Sequence, residues 1–405
     1  MAVTSRGQRG HEGPPGFARF ARGYSSPESA SGLDGTLKIA SRLRGLAATV
    51  DDLDADAYLL NTPGGTIDLR TLVLRPHDPA DLLTKITRGS WDPANPARSR
   101  LWDEFLDEVL PDPDVRGFLQ RVEGMALLGA APEAVFPILT GTGANGKSVE
   151  MGAVAHALGD FAATAEDGLF EVQRSSNPHG PTPALAKLRG VRRLGSSELA
   201  EGARINAPLM KRLTGGDRIT ARELHSHPFE FAPAFTPMML TNFLPKLPAN
   251  DPAVWRRVVV VPFDIVIPET HRDPHQPSRL EHHADAILAW ALEGWREYSA
   301  RGLMKPAAVV AATSDYAEGQ DDVRKFVDAW CVELAGGDPR STKTTTLHDA
   351  YRRWATDDGR WVRGGHIAHV LGKTKFAQRL DALGVGSVKT RGGMVHPLLL
   401  NEAAE

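Results

Sequence analysis

The eight residues Gly141-Thr142-Gly143-Ala144-Asn145-Gly146-Lys147-Ser148 constrain this chain more than any other stretch. They match G-x-x-x-x-G-K-[ST], follow an apolar run and lead into a helical pattern that ends near Gly159. Glycines in such a loop let the backbone curl until several N–H groups face phosphate oxygens. The N-terminus of the following helix adds about half a positive charge. Lys147 is then set to neutralise the β- and γ-phosphates, and Ser148 to ligate Mg²⁺. The expected ligands are therefore a nucleotide and Mg²⁺.

The flanking sequence agrees with an α/β fold. From about Pro132 to Pro268, apolar runs alternate with glycine-punctuated turns and helical patterns. Strands are expected over Val135–Thr140, Thr236–Thr241 and Val258–Phe263, although Pro137 argues against a central position for the first. Upstream, Tyr58–Asn61 and Thr66–Leu69 flank Pro63-Gly64-Gly65 and predict a short hairpin. Trp102, Phe105, Leu106, Val109 and Leu110 recur at helical spacing, and Val115, Phe118, Leu119 and Val122 start a second helix. Another helix is expected from about Ala284 to Tyr298. The domain reading is a flexible tail over 1–35, a small, mainly helical module over 36–131, an ATPase domain over 132–305 and a helical, winged-helix-like region over 306–405.

Charge narrows the partners. The 405-residue chain carries a formal net charge of −3, so nucleic-acid contact must come from local patches. One such patch is the segment Arg340–Pro397, with eleven basic residues against four acidic ones. Its helical patterns (Leu347–Trp354, Lys375–Leu383) precede Arg391-Gly392-Gly393, a turn suited to open a β-wing. The segment reads either as a solvated face or as a DNA contact. Arg6, Arg9, Arg19 and Arg22 lie in a Gly-, Ser- and Pro-rich stretch that reads as a solvated tail. The single cysteine, Cys331, excludes an intrachain disulfide and reads as a small apolar residue. No apolar run approaches the ~18 residues of a membrane span, and no secretory h-region is visible, so a cytoplasmic protein is expected.

A phosphate loop alone names no reaction. Glu198, Asn242, Arg256 and Arg257 each follow or flank an apolar run, and by spacing alone each is a weak signal. Taken together, the blocks resemble the helicase part of the phage and plasmid primase–helicase family, shared with poxvirus nucleoside triphosphatases: superfamily 3 helicases on an AAA+ core. The likeness runs from about Tyr58 to the C-terminus. It is carried by Tyr58–Asn61 through Gly64–Leu69, Gly124–Gly129, the loop itself, Leu188-Arg189-Gly190 leading to Ser197-Glu198, Leu209–Asp217, Thr241–Pro245 and Trp255–Val258.

The resemblance implies roles. Glu198 stands as the Walker B acid that supports Mg²⁺ and polarises water. Asn242 stands as the sensor of the γ-phosphate. Arg256 resembles an arginine finger reaching a neighbour's ATP site, with Arg257 as second choice. The stretch from Lys211 to Phe231 is similar to the segment that carries a DNA-gripping hairpin, which nominates Lys211, Arg218, Arg222, His225 and His227. The implied partners are single-stranded and forked DNA, a homo-oligomeric ring of hexamer type and a separate primase or polymerase, with 3′ to 5′ movement and a bacterial host. The primase domain of long members has no counterpart in these residues. Two features depart from the family pattern: Arg193, Gly195, Ser196 and Ser197 dilute the Walker B strand, and the hairpin tip Leu224-His225-Ser226-His227 lacks a strong cation. A replication initiator or assembly scaffold with little ATP turnover is the alternative reading, and another ring ATPase is a third.

Overall fold

The computed structural model describes residues 29–43, 47–172, 182–224, 226–249, 251–357, 362–363, 366–367 and 370–401. Arg6, Arg9, Arg19, Arg22 and His225 lie outside the described residues. The chain divides into two compact units, one of residues 1–55 and 79–84, the other of residues 56–78 and 85–405.

In the first unit, helix α1 spans Ala30–Ala40, and the Ser29 hydroxyl accepts from the N–H of Gly32 at its start. This corrects the tail expected through residue 35: a serine cap and the run Leu33, Leu37, Ile39 start a helix there, with those three side chains exposed. Nearby, the Asp54 carboxylate accepts from the backbone N–H and the hydroxyl of Thr84.

The second unit opens with the expected hairpin. Strands β1 (Leu59–Thr62), β2 (Gly65–Asp68) and β3 (Val73–Arg75) form an antiparallel sheet, with Thr62 opposite Gly65 at the turn. Helix α2 (Arg100–Val109) is capped by Ser99, and α3 (Pro113–Met125) by Asp112 with a proline in its first turn. Their buried faces are the apolar residues read from the sequence: Trp102, Phe105, Leu106 and Val109, then Val115, Phe118, Leu119 and Val122.

Strand β4 (Phe136–Thr140) leads to helix α4 (Lys147–Leu158), and then β5 (Ala162–Thr164) and β6 (Arg193–Ser196) follow. Helix α5 (Ala207–Leu213) precedes the antiparallel pair β7 (Ile219–Ala221) and β8 (Phe229–Phe231). Strand β9 (Thr236–Thr241), the short helix α6 (Pro252–Trp255) and β10 (Val258–Pro262) complete the sheet. Five strands run in the order β10-β4-β9-β6-β5, and every neighbouring pair is parallel.

Pro137 sits in the second strand of this order, flanked on both sides, contrary to expectation. The Phe136 N–H donates to Arg257 beside β10, and N–H groups alternate along a strand, so the Pro137 nitrogen faces β9. The Thr236 N–H donates to Arg192, so the Pro237 nitrogen faces β4. The β4–β9 ladder starts one step later, at Ile138 opposite Met239. Each proline thus turns its missing donor toward a seam that has not yet begun.

Two expected boundaries shift. Residues from β1, α2 and α3 share one core with α4, β10 and the long helix α7 (Ala284–Arg301), so 56–131 is no separate module. Helix α8 (Ala307–Gly319), placed by sequence in the C-terminal region, packs on β10: Val309 is buried, and the Thr313 hydroxyl accepts from the N–H of Val260. The C-terminal core starts near Val323.

That core joins helices α9 (Asp322–Trp330), α10 (Thr344–Asp357) and α11 (Lys373–Ala382) around Phe326, Tyr351 and Phe376. Strands β11 (Cys331–Glu333), β12 (Thr342–Lys343), β13 (Val388–Thr390), β14 (Gly393–His396) and β15 (Leu398–Leu400) accompany it. The order β12-β14-β13 includes a hairpin that turns at Arg391-Gly392, where the sequence suggested a wing. Burial pushes the Cys331 thiol up to about 12, which removes it from thiolate chemistry at neutral pH.

Candidate phosphate-binding site

The loop between β4 and α4 is held tightly from behind. A Cβ on Gly141 would lie 2.2 Å from both the Asn145 side-chain nitrogen and the Phe263 carbonyl oxygen. Gly146 has φ +81° and precedes α4, and a Cβ there would lie 2.4 Å from Val109 of α2. On the other side, the Ile267 N–H donates to the Ala144 carbonyl. Asn145 is buried, and its Nδ2 donates to Phe263 O at 3.0 Å. Its side chain therefore shapes the loop.

These residues fit a phosphate chain. Gly146 gives α4 no side-chain cap, and the first helical bond runs from Glu150 N to Gly146 O. The N–H groups of Lys147, Ser148 and Val149 precede that bond and are not used by the helix itself. Ser148 is exposed at the first turn of α4.

Lys147 is only 3 % exposed, and its ammonium ties the site together. Nζ donates to Gly141 O at 2.9 Å, to Asn145 Oδ1 at 2.9 Å and to Asn242 Oδ1 at 3.1 Å. Burial lowers its affinity for a proton, and the charge of Glu198 works the other way. Two residues far apart in sequence thus meet, Lys147 at the start of α4 and Asn242 just past β9, and the charge of Glu198, just past β6, acts on the same ammonium. All three follow the carboxyl ends of parallel strands, where ligands bind in open α/β sheets.

The other nominated residues lie elsewhere. Arg256 is exposed at the end of α6. Arg257 is 8 % exposed, and its guanidinium donates to the Thr214 hydroxyl at 3.0 Å and Ala253 O at 2.6 Å. Of the two arginines, only Arg256 reaches solvent. Lys211 is on α5, away from the hairpin strands, and its ammonium meets Asp251 at 2.8 Å. That contact holds the Asp251 carboxyl below the usual range while Asp251 caps α6. Arg218 precedes β7 and donates to Glu230 O at 3.1 Å. Arg222, the exposed Leu224 and the exposed His227 lie between β7 and β8.

Sequence reasoning missed the foundation of the site. Arg193, which dilutes β6, is 1 % exposed and forms two 2.7 Å bonds to the buried Glu123 of α3. Its Nη2 also lies 4.0 Å from Glu150 of α4. Burial, and then the Glu123 carboxylate, push the Glu150 carboxyl well above the usual range and favour its neutral form. The signal was present: an arginine in a core strand requires acids at core-facing helix positions, and Glu123 follows Val122 on the buried face of α3. Glu123→Ala strands the Arg193 charge and is expected to cost about 3–5 kcal/mol in a urea titration. Glu150→Gln keeps shape and neutrality and should change stability by less than about 1 kcal/mol.

The family model "D5 N terminal like" matches residues 18–111. That span begins within the stretch read as a tail and includes β1–β3 and α2. The chain is 28% identical over 323 residues to "Putative helicase L207/L206" of Acanthamoeba polyphaga mimivirus, covering 75% of this chain and 33% of that protein. It is 30% identical over 271 residues to "Putative helicase 022R" of Frog virus 3, covering 62% and 27%. It is 25% identical over 244 residues to "Putative primase C962R" of African swine fever virus, covering 59% and 25%. The chain thus spans a quarter to a third of the length of these viral proteins. Among solved structures, the apo A form of the NrS-1 C-terminal region shows 12% identity and a TM-score of 0.42, over 78% of this chain and 86% of that one. The mixed α/β fold, the D5 N terminal like match and these viral relatives support a likeness to the phage and viral primase–helicase family.

Proposed function

We propose that this chain is the ATP-driven motor of a DNA helicase, of the superfamily 3 type on an AAA+ core. The observation that carries the reading is the contact of Lys147 with Asn242 at the carboxyl end of the parallel sheet, with the Glu198 charge acting on the same ammonium. In this reading the loop N–H groups and Lys147 hold the β- and γ-phosphates. Ser148 and Glu198 support Mg²⁺, which when bound neutralises charge as the γ-phosphate leaves. Glu198 draws the proton side of the attacking water, and Asn242 orients that water against the γ-phosphate. Arg256 acts on the ATP site of the next subunit in a ring, which makes hydrolysis depend on the neighbour's position. Its exposure, beside an Arg257 engaged within the fold, supports the choice between the two.

The β7–β8 hairpin carries the DNA contact in this reading, through Arg218, Arg222 and His227, with single-stranded or forked DNA as partner. Contacts of this kind, made to phosphates, ignore sequence. The C-terminal helices with the Val388–His396 hairpin serve as a winged-helix-like second contact. A hexameric ring and 3′ to 5′ movement complete the proposal.

The test is ATP turnover with and without single-stranded DNA, together with unwinding of a forked duplex. Wild type should show DNA-stimulated hydrolysis and unwinding. Glu198→Gln should lose turnover by at least about a hundredfold while still binding ATP. Arg256→Ala should lose turnover without a change in melting temperature, and Arg257→Ala should lower the melting temperature. ATP binding without turnover in the wild type would instead make the protein an initiator or scaffold. Turnover without unwinding would make it another kind of ring ATPase.

A further inference from the structure

Glu198, the acid of the proposed reaction, has no secondary structure of its own: it follows β6 in an extended loop and is exposed. Its place is therefore set by how β6 is anchored. At the other end of that strand lie two buried arginines. Arg192 donates to Leu127 O and Leu59 O, both at 2.6 Å, and stacks on Phe161 with its guanidinium carbon 4.5 Å from the ring centre. Arg193 makes the paired bonds to Glu123 and donates through Nη1 to Met151 O at 3.2 Å, in the helix that begins at Lys147. One guanidinium therefore joins three elements: the strand leading to Glu198, the helix leading from Lys147, and α3.

A buried ion pair is a poor way to gain stability, because apolar side chains of the same volume do as well or better. What a forked, two-bond contact adds is direction. An apolar side chain at position 193 fills the space but lets β6 slide against α4. The guanidinium fixes strand and helix along their lengths. A shift of about 1 Å between reacting groups is enough to cost about a hundredfold in rate.

We propose that Arg193, through Glu123, is a positioning residue for Glu198: it locks the strand that ends at the acid to the helix that begins at Lys147. The proposal rests on the reading of Glu198 as the hydrolytic acid. The pair touches no nucleotide, so it acts on the chemical step and leaves ATP binding to the loop.

The test replaces the pair by apolar residues of similar volume, Arg193→Met with Glu123→Leu, in the full chain. The expected melting temperature is at or above that of the wild type. The expected KM for ATP stays within threefold, and kcat falls at least tenfold. Arg193→Lys, with Glu123 retained, should recover part of the loss. Glu123→Gln keeps the shape and one acceptor, so it gives the same split in milder form and decides the matter if the double variant does not fold. A second readout needs no hydrolysis. Spin labels at Gly152→Cys on α4, where a side chain meets open space, and at Glu201→Cys beyond Glu198 are placed in a Cys331→Ser background. Electron–electron resonance should give a narrow distance distribution with the pair intact and a broad one without it. Wild-type kcat in the double variant, or unchanged distance distributions, overturns the proposal. Broadened distances in a protein that never hydrolyses ATP would leave the joint standing and remove the motor reading instead.

Discussion

Lys147→Ala is expected to reduce ATP hydrolysis by at least about a thousandfold, the scale on which a single preorganised donor acts on developing charge in a dry site. The side chain is nearly inaccessible, and its ammonium joins the loop to Asn242. No neighbouring cation replaces it within the loop, since Asn145 and Ser148 are neutral. Loss of the ammonium also leaves the Gly141 carbonyl and the Asn145 and Asn242 amides short of a donor, which costs about 1–3 kcal/mol of stability. A steady-state assay and titration with a fluorescent ATP analogue separate the two effects. Turnover that survives the substitution would dismantle the site described here.

Gly294→Ala should be among the most damaging single changes to the fold. Helices α3 and α7 cross so closely that a Cβ on Gly294 would lie 1.9 Å from the Gln120 carbonyl oxygen. A Cβ on Gly124, its counterpart, would lie 2.1 Å from the Trp295 nitrogen. The obstacles are backbone atoms, so no rotamer change relieves them and the helices must separate. That opens the core around Leu119, Val122, Ala291 and Leu292, at a cost of about 3 kcal/mol or more. Calorimetry should show a melting temperature lower by about 10 °C. Gly152→Ala is the control: it sits in open space inside α4, and alanine there should add about 0.5–1 kcal/mol. Equal melting temperatures for the two variants would contradict the tight crossing.

The parts of the fold legible in the sequence were those governed by local chemistry. The phosphate loop, the Pro63-Gly64 hairpin, the stripes of α2 and α3 and the strand at Thr236–Thr241 each carry their own pattern. Asn242 and Glu198 were reachable only through the family likeness, because a lone amide or acid after an apolar run has many uses. What stayed hidden depends on contacts across the chain. No local pattern tells Arg256 from Arg257; only the presence of Thr214 and Ala253 beside one of them does. Nothing local in the sequence pairs Lys211 with Asp251, forty residues downstream. Arg193 read as a blemish in a strand because its answer, Glu123, lies seventy residues upstream on another helix. The boundary at 305 failed for the same reason: α8 is weakly patterned by itself and is claimed by β10.

The prolines at the starts of β4 and β9 bear on how the sheet assembles. Parallel strands meet late and from far apart in the chain, so they have every chance to align wrongly. Any offset that drew Pro137 or Pro237 inside the ladder would leave a carbonyl on the opposite strand unanswered in a dry interior. The two imino acids therefore act as an assembly key, penalising misaligned intermediates before the glycine-rich loop at the far end of β4 can form.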